Sequence, residues 1–200
     1  MNQISQYKKE FSDVLLNNFV KFWETYSPDP VYGGFLCGFD RDGSLFHEDK
    51  SVWQQGRSLW MFSKLYNEFG GKKEWLEIAR SGYDFINNYC FDETGHMYFK
   101  ITRDGKPLVV RRYYFSEAFA IMGYVEFYLA TKDEEVRQRA INLGRRHGFG
   151  YFIALGVIEH HAAFLIRKRG QRPYLEGAGA FHGQLQTAVL AGACAAQLHA

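Results

Sequence analysis

In the stretch DKSVWQQGRSLWMFSKLY, residues 49–66, Trp53, Arg57 and Trp60 fall on one face if the stretch is helical. A guanidinium flanked by two indoles has two physical explanations. One is structural cation–π packing, worth about 0.5–2 kcal/mol. The other is a pocket wall, in which indoles stack on a ring-shaped ligand and the arginine donates hydrogen bonds to its oxygens. A second group, Phe115-Ser116-Glu117, opens a later apolar stretch. Glu117 there either complements the positive end of a helix dipole or faces a ligand. Asp49 and Lys50 precede the first stretch and Arg112 precedes the second. They are either cap and surface charges or a cationic mouth suited to an oxygen-rich or anionic ligand.

These residues need elements to position them. Residues 3–25 carry Tyr7, Phe11, Leu15, Phe19 and Phe22 at helical spacing, and Pro28 and Pro30 end that run. Helices are further predicted over 51–69, stopped by Gly70-Gly71, and over 73–89, 115–130 and 133–146. Two hairpins turn at Asp42-Gly43 and Asp104-Gly105. A shift of 62 residues superimposes the hairpins and the helices that follow them, placing Trp53 on Phe115 and Phe62 on Tyr124. The chain thus repeats a hairpin followed by two helices. Such pairs must stack to bury their apolar faces, in a ring or a solenoid. The hairpins should gather at one end, where a pocket could form.

Composition narrows the class. Two hundred residues with 18% aromatics suit one domain with a real core. A net charge of +2 with acids and bases interleaved argues against nucleic acid as partner. No run is apolar enough to span a membrane, and the amino terminus lacks the apolar core of a signal peptide. Three distant cysteines, Cys37, Cys90 and Cys194, with no CxxC pair, point to a reduced, cytoplasmic compartment.

The composition changes near residue 144. Before that point there are 20 acids and 18 bases; from Arg145 onward there are two acids, Glu159 and Glu176, and six bases. The later part also holds five of the seven histidines and no third copy of the repeat. We therefore divide the chain into 1–144 and an atypical 145–200, read as an out-of-frame or junction sequence. Helices over GYFIALGVIEHHAAFLI and LQTAVLAGACAAQL are expected there by propensity.

The motifs YGGF, DRDG, WQQGRSLWMFSKLYN and FSEAFA resemble the N-acylglucosamine 2-epimerase family, which includes renin-binding proteins and cellobiose 2-epimerases. The resemblance covers residues 5–142. It implies a mainly α fold, part of an (α/α)6 barrel with its site on the axis. It implies a sugar epimerase that inverts C2 of an N-acyl-amino sugar, such as N-acetylglucosamine or N-acetylmannosamine, by removing and returning a proton. Arg57 is then the catalytic cation that steadies the enolate-like oxygen, with Trp53, Trp60, Phe115, Ser116 and Glu117 binding substrate. Phe115 followed by Ser-Glu points to amino-sugar members, since cellobiose members carry Tyr there. The resemblance implies no required cofactor and no metal, with ATP as an effector rather than a reactant. The family's two catalytic histidines lie in PGH..E and FH.PR contexts, neither of which occurs here. His160, His161 and His182 match neither context, and His47 and His96 read as surface residues. Half a ring would expose apolar faces, so aggregation, pairing with itself as a homodimer, or only marginal folding is expected. Two further readings are a glycoside hydrolase or lyase, with Glu117 and Glu126 as carboxylates, and a non-catalytic helical-repeat binding module.

Overall fold

In the computed structural model, which describes residues 3–110 and 114–147, the first predicted helix is a composite. Helix α1 spans Gln3–Val14, widens into a π segment at Leu15–Val20, and resumes as α2, Lys21–Tyr26. The widened segment breaks the helical periodicity. Tyr7 and Phe11, expected on one face with Leu15, Phe19 and Phe22, are exposed; Leu15, Leu16, Val20 and Trp23 pack on the core instead. Helix α2 ends where Pro28 follows Ser27, and Asp29 then accepts from the amides of Val31 and Tyr32.

The remaining helices lie within two residues of their predicted bounds. They are α3 (Val52–Glu68), α4 (Lys73–Tyr89), α5 (Phe115–Thr131) and α6 (Glu134–Arg146). Gly70 and Gly71, both at positive φ, stop α3, where Gly71 N–H donates to the Tyr66 carbonyl. Asp133 caps α6 by accepting from Glu135 N–H at 2.9 Å. Helix α4 packs on α3 and α6 on α5, while α3 and α5 lie against each other.

The strands are short: β1 (Gly38–Phe39), β2 (Leu45–His47), β3 (Lys50–Ser51), β4 (Lys100–Ile101) and β5 (Pro107–Val109). β1 and β2 form one antiparallel hairpin, and β4 and β5 form the other. β3, which leads straight into α3, pairs with β4, so the second hairpin borrows a strand from the first unit. The two turns share one bonding pattern. Asp40 N–H donates to Ser44 and Gly43 N–H to Asp40; Thr102 N–H donates to Lys106 and Gly105 N–H to Thr102. In each case a tyrosine from the end of the preceding helix, Tyr26 or Tyr89, covers the turn glycine. The repeat seen in the sequence is therefore a repeat of packing as well.

Helices α3 and α5 meet backbone to backbone. A Cβ on Gly56 would lie 2.6 Å from both the Ala120 nitrogen and the Phe119 carbonyl carbon. One on Gly123 would lie 2.7 Å from the Gly56 carbonyl oxygen. Neither obstruction is a movable side chain. Gly56→Ala should therefore cost about 1–3 kcal/mol of stability, despite the better helix propensity of alanine. A lowered urea midpoint with unchanged m-value is the expected readout.

Candidate active site

Helix α3 enters the core through three consecutive residues with different tasks. The Gln55 side chain is fully buried and exchanges two hydrogen bonds with the Phe35 backbone, each 2.8 Å. Gly56 lets α5 approach. Arg57 is half-buried. Burial lowers its guanidinium from the ordinary value, while the nearby Cys37 sulfur acts in the opposite sense. Reciprocally, burial pushes the Cys37 thiol up to about 12, against the pull of Arg57 and Lys50. The arginine remains a cation in a partly dehydrated setting, where a fixed charge acts more strongly than in water.

The other expected site residues are distributed around this point. Trp53 packs on Phe119, with ring centroids 5.5 Å apart, so this indole joins α3 to α5. Trp60 is half-buried on α3. Phe115, the first residue of α5, is 58% exposed and presents its ring at the surface. Ser116 and Glu117 behind it are buried. Ser116 Oγ donates to the Tyr98 carbonyl at 2.9 Å, and Glu117 Oε1 accepts from Met97 N–H and lies 4.0 Å from His147 Nε2. These two residues tie the start of α5 to the chain before β4.

Lys50 differs from both of its sequence readings. It is neither a surface charge nor a cation at a mouth. Its ammonium is buried and donates to Asp29 Oδ2 at 2.9 Å, the Gly33 carbonyl at 2.7 Å and the Arg103 carbonyl at 3.0 Å. It also sits 4.0 Å from the centroid of the Phe85 ring. Three donors thus meet three acceptors. Burial lowers its pKa despite the opposing pull of Asp29. Asp49 pairs with Lys100 at 2.9 Å, and Ser51 rather than Asp49 occupies the cap position of α3, without a side-chain cap bond. Arg112, His160, His161, His182 and the two helices expected after residue 148 lie outside the described residues.

His47 is half-exposed, as expected of a surface residue. His96 is only partly exposed: its ring meets that of His147 at 5.3 Å, and its Nδ1 is 2.9 Å from Thr94 Oγ1. Glu126 accepts from Asn67 Nδ2 at 2.8 Å. Glu117 and Glu126 stand on one helix, separated by about 13 Å along its axis, rather than on facing elements. Among the described residues no group of three or more His, Cys, Asp or Glu side chains is arranged to hold a metal ion. No described helix is long and apolar enough to cross a membrane.

The turn pattern, the paired helices and the WQQGR segment together match a known family. A family model described as N-acylglucosamine 2-epimerase covers residues 33–147. The chain belongs to the N-acylglucosamine 2-epimerase family. It is 35% identical to the N-acylglucosamine 2-epimerase of Bos taurus over 132 residues, 64% of this chain and 31% of that protein. It is 32% identical to the cellobiose 2-epimerase of Ruminococcus albus over 144 residues, 70% of this chain and 35% of that protein. Among solved structures, a sugar epimerase from a ruminal bacterium is similar with TM-score 0.63 and 31% identity, covering 68% of this chain and 35% of that one. The cellobiose 2-epimerase of Bacillus thermoamylovorans is similar with TM-score 0.65 and 26% identity, over 70% of this chain and 36% of that one. The fold is therefore mainly helical and of the epimerase (α/α)6-barrel type, and this chain spans about a third of the length of the relatives it matches.

Proposed function

We propose that this chain carries the arginine wall of an amino-sugar 2-epimerase, acting on N-acetylglucosamine and N-acetylmannosamine. The observation that supports this most is the setting of Arg57. It is a half-buried cation on a helix whose neighbouring residues, Gln55 and Gly56, are locked into the core. Inversion at C2 begins from the open-chain aldehyde. A base removes the C2 proton, and the electron pair moves onto the carbonyl oxygen. A guanidinium already aimed at that oxygen stabilises the charge as it develops, with no reorganisation needed at that moment. Proton return to the opposite face of C2 restores the aldehyde with inverted configuration. In this reading Trp53, Trp60 and Phe115 line the sugar, while Ser116 and Glu117 hold Phe115 in place.

Base and acid are assigned to two histidines outside the motifs present here, so the 200-residue chain alone should give no turnover. The test is to incubate it with N-acetylmannosamine and follow the anomeric proton signals of N-acetylglucosamine. Product forming at a rate proportional to protein would overturn the assignment of the proton carriers. Residues 145–200 stand in this reading as a junction or out-of-frame sequence, supported by the change of composition and by a family match that ends at residue 147. Reading the coding DNA in its other frames tests that part, and finding no third repeat unit in any frame would count against it. A reduced, cytoplasmic setting is supported by Cys37 and Cys90, both free thiols. Self-association is supported by the exposed Ile4, Tyr7, Phe11 and Val14 on α1. ATP as an effector belongs to the same reading and rests on family membership alone.

A further inference from the structure

We propose that the groove between α4 and the turn at residues 29–34 binds a neutral saccharide, with Tyr32 and Tyr89 as aromatic walls and Arg80, Asp84 and Asn88 as its hydrogen-bonding face. The groove holds about 410 Å³ and opens to solvent; small-molecule sites usually hold about 300–1,000 Å³. None of Trp53, Arg57, Trp60 or Phe115 lines it, so the inference makes no use of the epimerase reading. Its walls are fixed in advance. Asp29 N–H donates to the Gly34 carbonyl and Gly33 N–H to the Asp29 carbonyl, each at 3.0 Å, which closes the turn. From the buried side Lys50 donates to the Gly33 carbonyl, and Asp29 Oδ1 accepts from Tyr32 N–H. Gly34 N–H donates to Ser81 Oγ at 3.3 Å, which joins the turn to α4.

The two tyrosines are anchored but open. The Arg103 guanidinium lies 5.9 Å from the centroid of the Tyr32 ring. Tyr89 packs on Phe85 with ring centroids 5.0 Å apart, and a Cβ on Gly105 would lie 2.5 Å from its ring. Yet Tyr32 is 49% exposed and Tyr89 41%, so both rings keep surface for a ligand. Walls held in this way lose little freedom on binding. The polar face selects the ligand class. Ser81, Asp84 and Asn88 recur at spacings of three and four, so they share one side of α4. Among the described residues, no hydrogen bond or ion pair engages the Asp84 or Asn88 side chain. Arg80, its guanidinium carbon 5.4 Å from the centroid of the Phe127 ring, adds donors to the same groove. A carboxylate only accepts, a guanidinium only donates and an amide does both. An anion needs donors alone and an organic cation acceptors alone. A sugar hydroxyl needs one of each, which is what this face offers, while the C–H face of a pyranose suits a tyrosine ring.

The test titrates the full 200-residue protein, isotope-labelled for NMR, with methyl β-glucopyranoside. The blocked anomeric carbon of this sugar cannot open to the aldehyde, so it cannot be epimerised, and the outcome is independent of the epimerase reading. The Gly33 amide and the Asn88 side-chain amide should shift and saturate at millimolar sugar. Tyr32→Ala and Asp84→Ala should each weaken that binding by about tenfold. Both side chains are exposed, so the rest of the spectrum should stay as in wild type. Arg57→Ala should leave the binding unchanged. Choline and inorganic phosphate, titrated in the same way, should shift neither amide. The proposal is overturned by the absence of a shift with the sugar, by wild-type affinity in both groove variants, or by loss of binding in Arg57→Ala. A response to choline or phosphate without one to the sugar overturns it as well.

Discussion

Asp29→Ala should lower the unfolding free energy by about 3–5 kcal/mol, because it strands a buried ammonium. Lys50 and Asp29 side chains are both fully buried and pair at 2.9 Å. Arg103 closes the group from the second hairpin, with Nε 2.9 Å from Asp29 Oδ2 and Nη2 3.0 Å from Oδ1, and Nη1 2.6 Å from Glu48. Without the carboxylate, Lys50 keeps only two carbonyl acceptors, and Arg103 loses its bidentate partner. Urea unfolding at neutral pH reads the loss, and a midpoint equal to wild type would show that the group contributes nothing. The pH dependence has a defined sign. Burial alone would raise the Asp29 carboxyl, but hydrogen bonds from Arg103, Lys50 and the Val31 amide hold it well below the usual carboxylate range. A carboxyl with a depressed folded pKa contributes its full stability above the unfolded value, near pH 4, and loses it as pH falls through the folded value. Wild type should therefore lose stability on acidification below about pH 4, and Asp29→Ala should lack that part of the slope.

Arg57→Ala, placed in a full-length protein that carries this segment, should lower kcat by about 2–4 kcal/mol of transition-state stabilisation, or about 30- to 900-fold. In the proposed epimerisation the charge that Arg57 opposes would exist only once the C2 proton is leaving, so kcat and kcat/KM should fall together. Arg57→Lys should recover part of the rate, since it retains charge but not the planar fork. Turnover like that of wild type in Arg57→Ala would remove this residue from the mechanism. A urea midpoint and m-value like those of wild type would show that the loss of rate is not a loss of fold.

The two predictions separate the parts of the molecule that the sequence exposes from those it conceals. Helix α4 could be read residue for residue, since Trp75, Ala79, Tyr83 and Ile86 recur at helical spacing and all four are buried. The hairpin turns were legible because Gly43 and Gly105 adopt φ +87° and +92°, which glycine reaches at little cost. Within the WQQGR segment only Trp53 and Arg57 stood out by residue type and resemblance. Gln55 carried no signal of its own, because a glutamine on a helix reads as solvated unless its partner is known. Helix α1 misled for a local reason: the π segment at Leu15–Val20 changes which side chains face the core, and no composition rule marks it.

By itself, then, the amino-acid sequence determined the helix pairs, the two turns, their repeat and the family, because these depend on periodicity and on residues a few positions apart. Only the tertiary structure decided that Lys50 is buried, that Gln55 serves the Phe35 backbone, and that Ser116 and Glu117 face protein. Each of those outcomes depends on donors and acceptors brought together from 18 to 53 positions away along the chain. A buried polar group is tolerable only when such partners converge on it, and that convergence is a property of the folded chain.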